Sequence, residues 1–354
     1  MQTFSSRIIA WQRQHGRHTL PWQASRDPYR IWLSEIMLQQ TQVASVIPYF
    51  QRFIAHFPDL QTLASAPQDA VLAQWSGLGY YTRARNLHRV AQHLCENHAG
   101  QFPQEVEALQ SLPGIGRSTA AAIAALAFGQ TRAILDGNVK RVLARHAGID
   151  GWPGDKAIEA RLWALAEARL PSANIETYTQ GMMDLGASVC TRIRPTCTAC
   201  PVSGDCVALQ QKRVTELPTR KEKSSLPEKQ VRMLIVLHGD SLLLEKRPSR
   251  GIWGGLWSFP ELDLTADPVV HCETRLGMHV RQEEALPTLK HSFTHFHLYI
   301  SPLLLTMTHP YAAEPQSAQN WFTRQDILQT AVPTPVHKLL KQLNPPCMSI
   351  QGQY

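Results

Sequence analysis

Residues 106–129, VEALQSLPGIGRSTAAAIAALAFG, decide the fold of the first half of the chain. Apolar residues recur at helical spacing on both sides of LPGIG, residues 112–116, which predicts a helix, a tight turn and a second helix. Pro113 ends the first helix, and the glycines on either side of Ile115 permit positive φ and close backbone approach. The turn amides then face outward at a helix N-terminus, which suits an anion such as a nucleic-acid phosphate. A plain helix–helix turn is the alternative.

The segments around this hairpin are predicted to be helical as well. Apolar residues at three- and four-residue spacing fill three further stretches: residues 28–40, 43–55 and 69–75. The alanine-rich segment after the turn stops at Gly129, a suitable helix C-cap. Pro48 lies inside one apolar stretch and is expected to kink or divide it. We therefore predict an all-α domain over residues 1–211.

Four of the seven cysteines follow the spacing C-x6-C-x2-C-x5-C: Cys190, Cys197, Cys200 and Cys206. Four thiolates this close in sequence can wrap one metal centre, and their softness favours zinc or an iron–sulfur cluster. The spacing contains one C-x2-C pair, whereas zinc sites often use two, and a cubane cluster tolerates the long, unequal outer gaps better. Zinc remains possible on the spacing alone. The other cysteines, Cys95, Cys272 and Cys347, carry no functional pattern.

The chain changes character at residue 212. Residues 212–230, KRVTELPTRKEKSSLPEKQ, combine prolines and charges without periodicity and are predicted to be an exposed linker. The next residues, VRMLIVLHGDSLLLEKRP, predict two strands joined at Gly239–Asp240, and HFHLYISPLLLTM predicts another. With a short helix expected over residues 335–343, residues 231–354 form an α+β domain. Two domains also fit the length of 354 residues.

Bulk properties limit the possible partners and locations. The formal net charge of +7 suits a polyanionic partner, although many basic proteins bind no nucleic acid. No apolar stretch approaches the roughly 20 residues of a membrane span, and the N-terminus lacks the apolar region of a signal peptide. We therefore expect a cytoplasmic protein with no membrane partner.

Two carboxylates stand out by their surroundings. Glu35 lies in YRIWLSEIMLQQTQV, where apolar neighbours should raise its pKa, as a general acid requires. Asp136 lies in ILDGNVKRVLAR, where it either caps the following helix or stands exposed as an ionised carboxylate. Cleavage of a glycosidic bond is one reaction that uses such a pair, with one acid to protonate the leaving group and one ionised carboxylate to stabilise an oxocarbenium-like sugar. Structural readings remain open, because Glu35 could pair with an arginine and Asp136 could serve only as a cap.

Several blocks together closely resemble the MutY family of adenine DNA glycosylases, within the helix-hairpin-helix superfamily that includes endonuclease III. The blocks are LPWQASRDPYRIWLSEIMLQQTQVASVIPYF, GLGYYTRARNL, LPGIGRSTA, LDGNVKRVLAR, MDLGASVCT and the cysteine cluster. The resemblance implies a 4Fe–4S cluster on the four cysteines. It also implies that Glu35 protonates adenine at N7, that Asp136 stabilises the cation or its covalent adduct, and that Asn138 belongs to the same pocket. Gln40 and Tyr80 match residues that wedge into the duplex, although alone they would be read as a surface residue and a core residue.

One position distinguishes enzymes within the superfamily. Bifunctional relatives carry a nucleophilic lysine in the pattern PGxGxKTA, and this chain has Ser118 there. Without a lysine amine to form a Schiff base, efficient cleavage of the DNA strand is not expected, and water should complete the reaction. Lys140 is a candidate for slow strand cleavage, although a phosphate-contacting or solvated lysine is the favoured reading.

The second domain contains LEKRPSRGIWGGLWSFP, which resembles the MutT-like (Nudix-like) domain of the same family. Residues 251–295 lack the RExxEE pattern that holds magnesium in Nudix hydrolases, so pyrophosphohydrolase activity is not expected. The family's Phe-Ser-His recognition element corresponds here to Phe293-Thr294-His295, and threonine keeps the hydroxyl donor. The histidines at 291, 295 and 297 are assigned to an exposed loop rather than to a metal site.

The resemblance therefore implies an all-α helix-hairpin-helix glycosylase domain with an iron–sulfur cluster loop, followed by a smaller α+β MutT/Nudix-like domain. It implies a monofunctional enzyme that flips and removes adenine opposite 8-oxoguanine or guanine in double-stranded DNA. A monomer in the cytoplasm, associated with the nucleoid, is expected. The alternatives are a bifunctional glycosylase, a non-catalytic lesion-binding or redox-sensing protein, and a zinc-structural protein. The predicted hairpin residues at the DNA are Pro113, Gly114, Ile115, Gly116 and Ser118.

Overall fold

The computed structural model describes three parts of the chain: residues 2–221, 225–308 and 318–343. The chain divides into two compact units, each made of two segments: Met1–Ser65 with Asn86–Lys223, and Ala66–Arg85 with Ser224–Tyr354. The second unit thus takes a segment from the middle of the predicted first domain. None of the helices in these three parts combines the length and hydropathy that a membrane span requires. Cys347 lies outside the described residues.

Helices make up the regular structure of residues 2–221. In chain order they are α1 (Phe4–His15), α2 (Pro28–Leu38), α3 (Val43–His56), α4 (Leu60–Ser65), α5 (Gln68–Trp75), α6 (Thr82–Asn97), α7 (Val106–Ser111), α8 (Arg117–Phe128), α9 (Gly137–Ala147), α10 (Lys156–Ala168), α11 (Ile175–Asp184) and α12 (Val207–Gln210). Short helical turns lie at Pro21–Gln23, Leu185–Val189, Cys197–Ala199 and Ser203–Asp205. The all-α prediction for this part of the chain is confirmed.

Two helix predictions had different outcomes. Gly129 closes α8 with a φ of 68°, as expected of a C-cap glycine. In contrast, α3 continues through Pro48 without a break, so the expected division there is wrong. Val46 and Phe50 on either side of the proline are buried, and this apolar burial outweighs the one hydrogen bond that proline removes.

The alanine-rich helix α8 lies at the centre of the first unit. Residues 120–125 are all buried, and α8 packs against α2, α7 and α11. Small side chains allow neighbouring helices to approach closely while the interior remains densely packed. This packing brings α2, which carries Glu35, against the centre of the unit.

The second unit contains a mixed sheet with helices. Its strands are β1 (Glu228–His238), β2 (Ser241–Lys246), β3 (Trp257–Ser258), β4 (Glu261–Leu262), β5 (Val280–Ala285), β6 (Leu289–Ser292), β7 (His297–Met307) and β8 (Gln319–Thr323). Its C-terminal helices are α13 (Pro268–His271), α14 (Arg324–Leu328) and α15 (Thr334–Gln342), with a further helical turn at Cys272–Leu276. The sheet follows the order β3-β2-β1-β7-β5, and β4, β6 and β8 pair with β1, β7 and β2.

The strand predictions for this unit are largely confirmed. β1 and β2 form an antiparallel hairpin in which His238 pairs with Ser241, so the turn lies at Gly239–Asp240 as expected. β7 runs parallel to β1 at the middle of the sheet. The predicted linker is too long by three residues, because residues 228–230 already pair with β7. The strand was not predicted here because these residues are polar, as expected of exposed positions.

Specific contacts join Ala66–Arg85 to the C-terminal part of its unit. Asp69 on α5 forms an ion pair with Lys246 at 2.7 Å. The Tyr81 hydroxyl donates to the Val332 carbonyl at 3.3 Å, and Trp75 is fully buried. A segment that lies early in the sequence therefore belongs to the core of the later unit.

Candidate active site

A cavity of about 440 Å³ opens in the first unit, and Glu35 on α2 lines it. This volume lies in the range of small-molecule sites. Apolar side chains form part of the wall: Leu20, Trp22, Ile31, Leu38, Val43, Leu126 and Met183. The polar lining includes Gln12, Arg13, Arg17, His18, Gln23, Arg26, Glu176 and Gln180. The cavity therefore combines apolar surface with a few convergent polar groups.

Glu35 has the protonation behaviour of a general acid. Burial raises its pKa to about 7, and the nearby negative charge of Asp136 adds to the effect. Within the described part of the chain Glu35 forms no ion pair, so the arginine-paired alternative does not apply. The carboxyl group is thus partly protonated near neutral pH, where it can give up a proton.

Asp136 is the N-cap of α9 and not an exposed carboxylate. Its Oδ1 accepts from the Val139 amide at 2.8 Å, and its Oδ2 accepts from Asn138 Nδ2 at 3.3 Å. Burial raises its pKa, while these donors and the Arg141 charge act in the opposite direction. Asp136 and Asn138 do not line the cavity. The charge of Asp136 nevertheless reaches Glu35, so the fold brings the two acids into electrostatic range.

A buried carboxylate that the sequence analysis missed organises one cavity wall. Asp184, which is fully buried, accepts from Arg17 Nε at 2.7 Å, from the Arg17 amide at 2.9 Å and from Gln180 Nε2 at 2.8 Å. Gln180 lines the cavity, so Asp184 holds one of the polar side chains of the cavity wall. The sequence around Asp184, MDLG, did not predict these hydrogen bonds, because Arg17 is remote in sequence.

Arg141 on α9 connects the Asp136 region to the cysteine loop. Its guanidinium donates to Asn138 Oδ1 at 2.8 Å, to the Gly186 carbonyl at 2.6 Å and to the Cys190 carbonyl at 2.7 Å. Gly186 itself has no space for a side chain, since a Cβ there would lie 2.5 Å from the Asn138 Cβ. The Arg141 side chain thus binds both Asn138, which lies near Asp136, and the backbone of Cys190, the first of the four cysteines.

We expect Arg141→Met to lower the single-turnover rate of the reaction at this site by about 10- to 100-fold, the range for side chains that orient the groups of a site. Methionine keeps the apolar stem and removes every donor. Lys140→Gln on the same helix is the control, because Lys140 pairs with Glu159 instead. Equal rates in the two variants would show that the Arg141 bridge does not position Asp136.

The four cysteines converge on one small, largely apolar cavity. All are free thiols, and Arg145 Nη1 lies 3.4 Å from Cys190 Sγ. Burial raises the pKa of Cys200 to about 11, and the other three cysteines add to the effect. Among the residues that the structure describes, no three ligating side chains are placed to hold a single metal ion.

The hairpin has the expected turn, with one correction. Gly114 adopts a φ of 82°, and a Cβ there would lie 3.1 Å from Asn86 Nδ2. Gly116 has a φ of −84° and is the extended N-cap of α8, so the positive φ expected there is wrong. A Cβ at Gly116 would meet open space, which leaves this face of the turn accessible. Pro113 and Ile115 complete the turn.

Ser118 follows the hairpin on the first turn of α8. Its hydroxyl oxygen accepts from the Leu135 amide at 2.9 Å, one residue before Asp136. Ser118 therefore fixes the backbone that leads to the carboxylate. No lysine amine stands at this position to act as a nucleophile.

The two residues predicted to wedge into the duplex share an unusual backbone conformation. Gln40 has a φ of 58° and Tyr80 a φ of 50°, the left-handed region that side-chain-bearing residues rarely adopt. Tyr80 is 48% exposed, so its reading as a core residue is wrong. Backbone strain of this kind often accumulates at functional sites.

Tyr80 and the predicted recognition element line a cavity of about 450 Å³ in the second unit. Thr294 and His295 are exposed, and Phe293 packs on Phe296 with ring centroids 4.5 Å apart. His291 contacts Phe293, and His297 Nδ1 lies 2.9 Å from Ser292 Oγ. The assignment of all three histidines to an exposed loop is wrong: His291 lies on β6 and His297 begins β7, and only His295 lies in the turn between these strands.

Two family models match the chain. Residues 33–168 match the HhH-GPD superfamily base excision DNA repair proteins, and residues 232–342 match the NUDIX domain. Both matches agree with the predicted order of an all-α glycosylase domain and a Nudix-like domain.

Curated relatives cover nearly the whole chain. An adenine DNA glycosylase of Buchnera aphidicola subsp. Acyrthosiphon pisum is 39% identical over 341 residues, which is 96% of this chain and 97% of that protein. The adenine DNA glycosylase of Mus musculus is 32% identical, over 96% of this chain and 77% of the relative.

Solved structures match part of the chain. A thermostable thymine-DNA glycosylase has a TM-score of 0.54 and 29% identity, and covers 59% of this chain and 95% of its own. An endonuclease III–DNA covalent intermediate, at 20% identity and a TM-score of 0.50 over 59% of this chain and 94% of its own, shares the fold.

Proposed function

Since this chain belongs to the family of adenine DNA glycosylases, we propose that it removes adenine paired with 8-oxoguanine or guanine from double-stranded DNA, using water and leaving an abasic site. The observation that carries the proposal is the pair of acids at the first cavity. Glu35 lines the cavity with a raised pKa, and the charge of Asp136, the N-cap of α9, contributes to that raised pKa. Adenine must leave the base stack to reach Glu35, so the proposal includes base flipping.

The cavity offers hydrogen bonds that match one edge of adenine. Protonated Glu35 donates to N7, and the Gln180 carbonyl accepts from the 6-amino group. Adenine presents an acceptor and a donor at these neighbouring positions, whereas guanine presents two acceptors. Asp184 keeps the amide of Gln180 in the required orientation. A 6-oxo purine would leave the Gln180 carbonyl facing another acceptor, which is a costly mismatch.

The two acids divide the work of bond cleavage. Proton transfer from Glu35 to N7 lets the base depart as neutral adenine with the electrons of the N-glycosidic bond. Asp136, beside the cavity rather than in its wall, faces the sugar and stabilises the cation or captures it as an ester. Water then adds to the sugar carbon and loses a proton, which leaves the abasic site. The amides at the start of α9 favour the ionised form of Asp136.

The rate of adenine release is expected to fall as pH rises through about 7, because Glu35 must carry its proton. Above that pH each further unit should lower the rate by about tenfold. At low pH the rate should fall again as Asp136 becomes protonated. A pH profile of the single-turnover rate checks this, and a flat profile from pH 6 to 9 would exclude Glu35 as the acid.

No strand cleavage is proposed. Ser118 occupies the position where bifunctional relatives carry lysine, and a serine hydroxyl cannot form a Schiff base. Lys140 is bound to Glu159 at 2.6 Å, which disfavours it as an alternative amine. Strand breaks should therefore follow only from alkaline treatment of the abasic product.

The proposed DNA contacts come from both units. The hairpin turn around Gly114 and Gly116 offers amides to a phosphate, which positions the duplex without reading its sequence. Gln40 and Tyr80 are proposed to enter the duplex beside the base opposite adenine. Phe293-Thr294-His295 is proposed to recognise 8-oxoguanine, with the Thr294 hydroxyl as a hydrogen-bonding group.

A 4Fe–4S cluster is the proposed cofactor, held by Cys190, Cys197, Cys200 and Cys206. The residues fit this group, since four free thiols surround one apolar cavity and Arg145 supplies a donor to a sulfur. The spacing, with one C-x2-C pair and longer outer gaps, suits a cubane with one cysteine at each corner. When bound, the cluster would order the loop that Arg141 contacts. We further propose a monomer in the cytoplasm, associated with the nucleoid.

A duplex with one labelled adenine opposite 8-oxoguanine tests the proposal. We expect release of free adenine, strand breakage mainly after hot alkali, and slower release opposite guanine. A duplex with thymine opposite the same adenine is the control and should remain intact. Absence of adenine release by protein with all four cysteines intact would overturn the proposed substrate. Breakage without alkali would overturn the monofunctional mechanism.

A further inference from the structure

Trp253 has a strained backbone at the second cavity. It lies in the loop between β2 and β3 with a φ of 53°, between Gly251 at 93° and Gly255 at 77°. A left-handed conformation is unfavourable for a bulky aromatic residue and persists only where its surroundings hold it. Tyr80, across the same cavity, has this conformation too.

Several contacts hold Trp253 in place. The Arg247 guanidinium lies 5.7 Å from the Trp253 ring centroid, and Arg247 Nε donates to the Ile252 carbonyl at 3.0 Å. Arg247 is itself paired with Glu261. The Trp253 side chain is 8% exposed, so its ring is a rigid wall and not a mobile surface group.

The ring of Trp253 supports the predicted recognition element. Its centroid lies 5.5 Å from Phe293 and 5.7 Å from His291. The Phe293 amide donates to the Phe296 carbonyl at 2.9 Å, which closes the turn carrying Thr294 and His295. The direction in which this turn points therefore depends on the surface against which Phe293 packs.

The same loop also contacts the segment that carries Tyr80. Arg85 Nη1 donates to the Gly254 carbonyl at 2.6 Å, and Arg85 Nη2 donates to Thr82 Oγ1 at 2.9 Å. Trp253 and its neighbour thus connect both parts of the proposed recognition surface. Sequence periodicity could not indicate this, because the contacts join three distant segments.

We propose that Trp253 is a positioning residue that sets the preference for 8-oxoguanine over guanine opposite adenine, by fixing the direction of Thr294 and His295. The inference rests on the proposed function of Phe293-Thr294-His295. Trp253 does not need to touch DNA for this role. Its strained backbone brings the ring against Phe293, and the recognition turn takes its orientation from that contact.

Trp253→Leu tests the inference, with Trp257→Leu as the matched control. Trp257 on β3 packs against Phe322, with ring centroids 5.0 Å apart, and does not line the cavity. The readout is the ratio of single-turnover rates on adenine opposite 8-oxoguanine and opposite guanine. We expect Trp253→Leu to lower this ratio by about tenfold, a difference of about 1.4 kcal/mol. Trp257→Leu should keep the wild-type ratio.

Two further variants separate the possible results. Phe293→Ala alters the recognition element itself and should also lose the preference, while Trp253→Phe replaces the indole with a smaller ring and should lower the ratio by a smaller factor than Trp253→Leu. Loss of the ratio in Phe293→Ala but not in Trp253→Leu would overturn the role of Trp253 and leave the proposed function intact. No preference in the wild-type protein would overturn both the role of Trp253 and the proposed recognition role of Phe293-Thr294-His295. If Trp253→Leu does not fold, Trp253→Phe and Trp257→Phe are compared instead. A lower ratio in Trp253→Phe than in Trp257→Phe supports the inference. Equal ratios in these two variants overturn it.

Discussion

Glu35→Gln is expected to lower the single-turnover rate of adenine release by roughly 10²- to 10⁴-fold, the range for removal of a general acid. Glutamine keeps the size of the side chain and can donate a hydrogen bond to N7, but it cannot transfer a proton. Quantification of free adenine from the duplex with 8-oxoguanine measures the effect. Glu167→Gln, at an exposed residue paired with Arg117, is the control and should retain the wild-type rate.

The stability of the Glu35 variant distinguishes lost chemistry from lost folding. The folded protein raises the pKa of Glu35 from 4.5 to about 7, so folding favours the protonated form. This contribution to stability is complete below the unfolded pKa and is lost as pH rises through the folded one. Wild-type Tm should therefore fall more between pH 5 and 8 than the Tm of Glu35→Gln. An inactive variant with a lower Tm at pH 8 than wild type would contradict this account.

Asp136→Asn is expected to lower the rate of adenine release by a comparable factor, roughly 10²- to 10⁴-fold by analogy with other acid–base residues. Asparagine is a good helix N-cap, so α9 should remain intact while the charge at the sugar is lost. Asp155→Asn is the matched control, because Asp155 caps α10 through the amides of Ala157 and Ile158.

Binding measurements on Asp136→Asn distinguish a loss of reaction rate from a loss of DNA binding. Duplex affinity should stay close to wild type, because the hairpin and the recognition loop are unchanged. A rate loss in Asp155→Asn equal to that in Asp136→Asn would show that helix capping, and not charge, explains the result. Retained activity in Asp136→Asn would exclude the carboxylate from the reaction.

Local sequence patterns were sufficient to predict most helices and strands and to single out Glu35 and Asp136 as carboxylates, whereas the roles proposed for the two acids came from the family resemblance. The apolar neighbours of Glu35 and the cap position of Asp136 lie within a few residues of each acid, and the structure keeps both features. Helical and strand periodicity likewise depend on neighbouring residues. The turn at Gly114 was predictable because glycine is the residue that tolerates a φ of 82°.

Features that depend on distant segments were not predictable from the sequence. Asp184 obtains its role from Arg17, and Trp253 obtains its role from Phe293, in each case far along the chain. The residues 66–85 were predicted within the first domain because periodicity identifies an apolar face without identifying what covers it. The start of β1 was also not predicted, because residues 228–230 have polar side chains. Their pairing with β7 is made by the backbone, which leaves no pattern in the side chains.

The membership of Ala66–Arg85 in the second unit has a consequence for inheritance and protein engineering. Suppose that recombination joins the Nudix-like module of another protein to this chain at the linker. The residue at the position of Lys246 would then have been selected to pair with a residue other than Asp69. Exchange of the whole second unit between relatives needs three crossover points: one before residue 66, one after residue 85 and one near residue 224. A single crossover at the linker would leave residues 66–85 from the other parent.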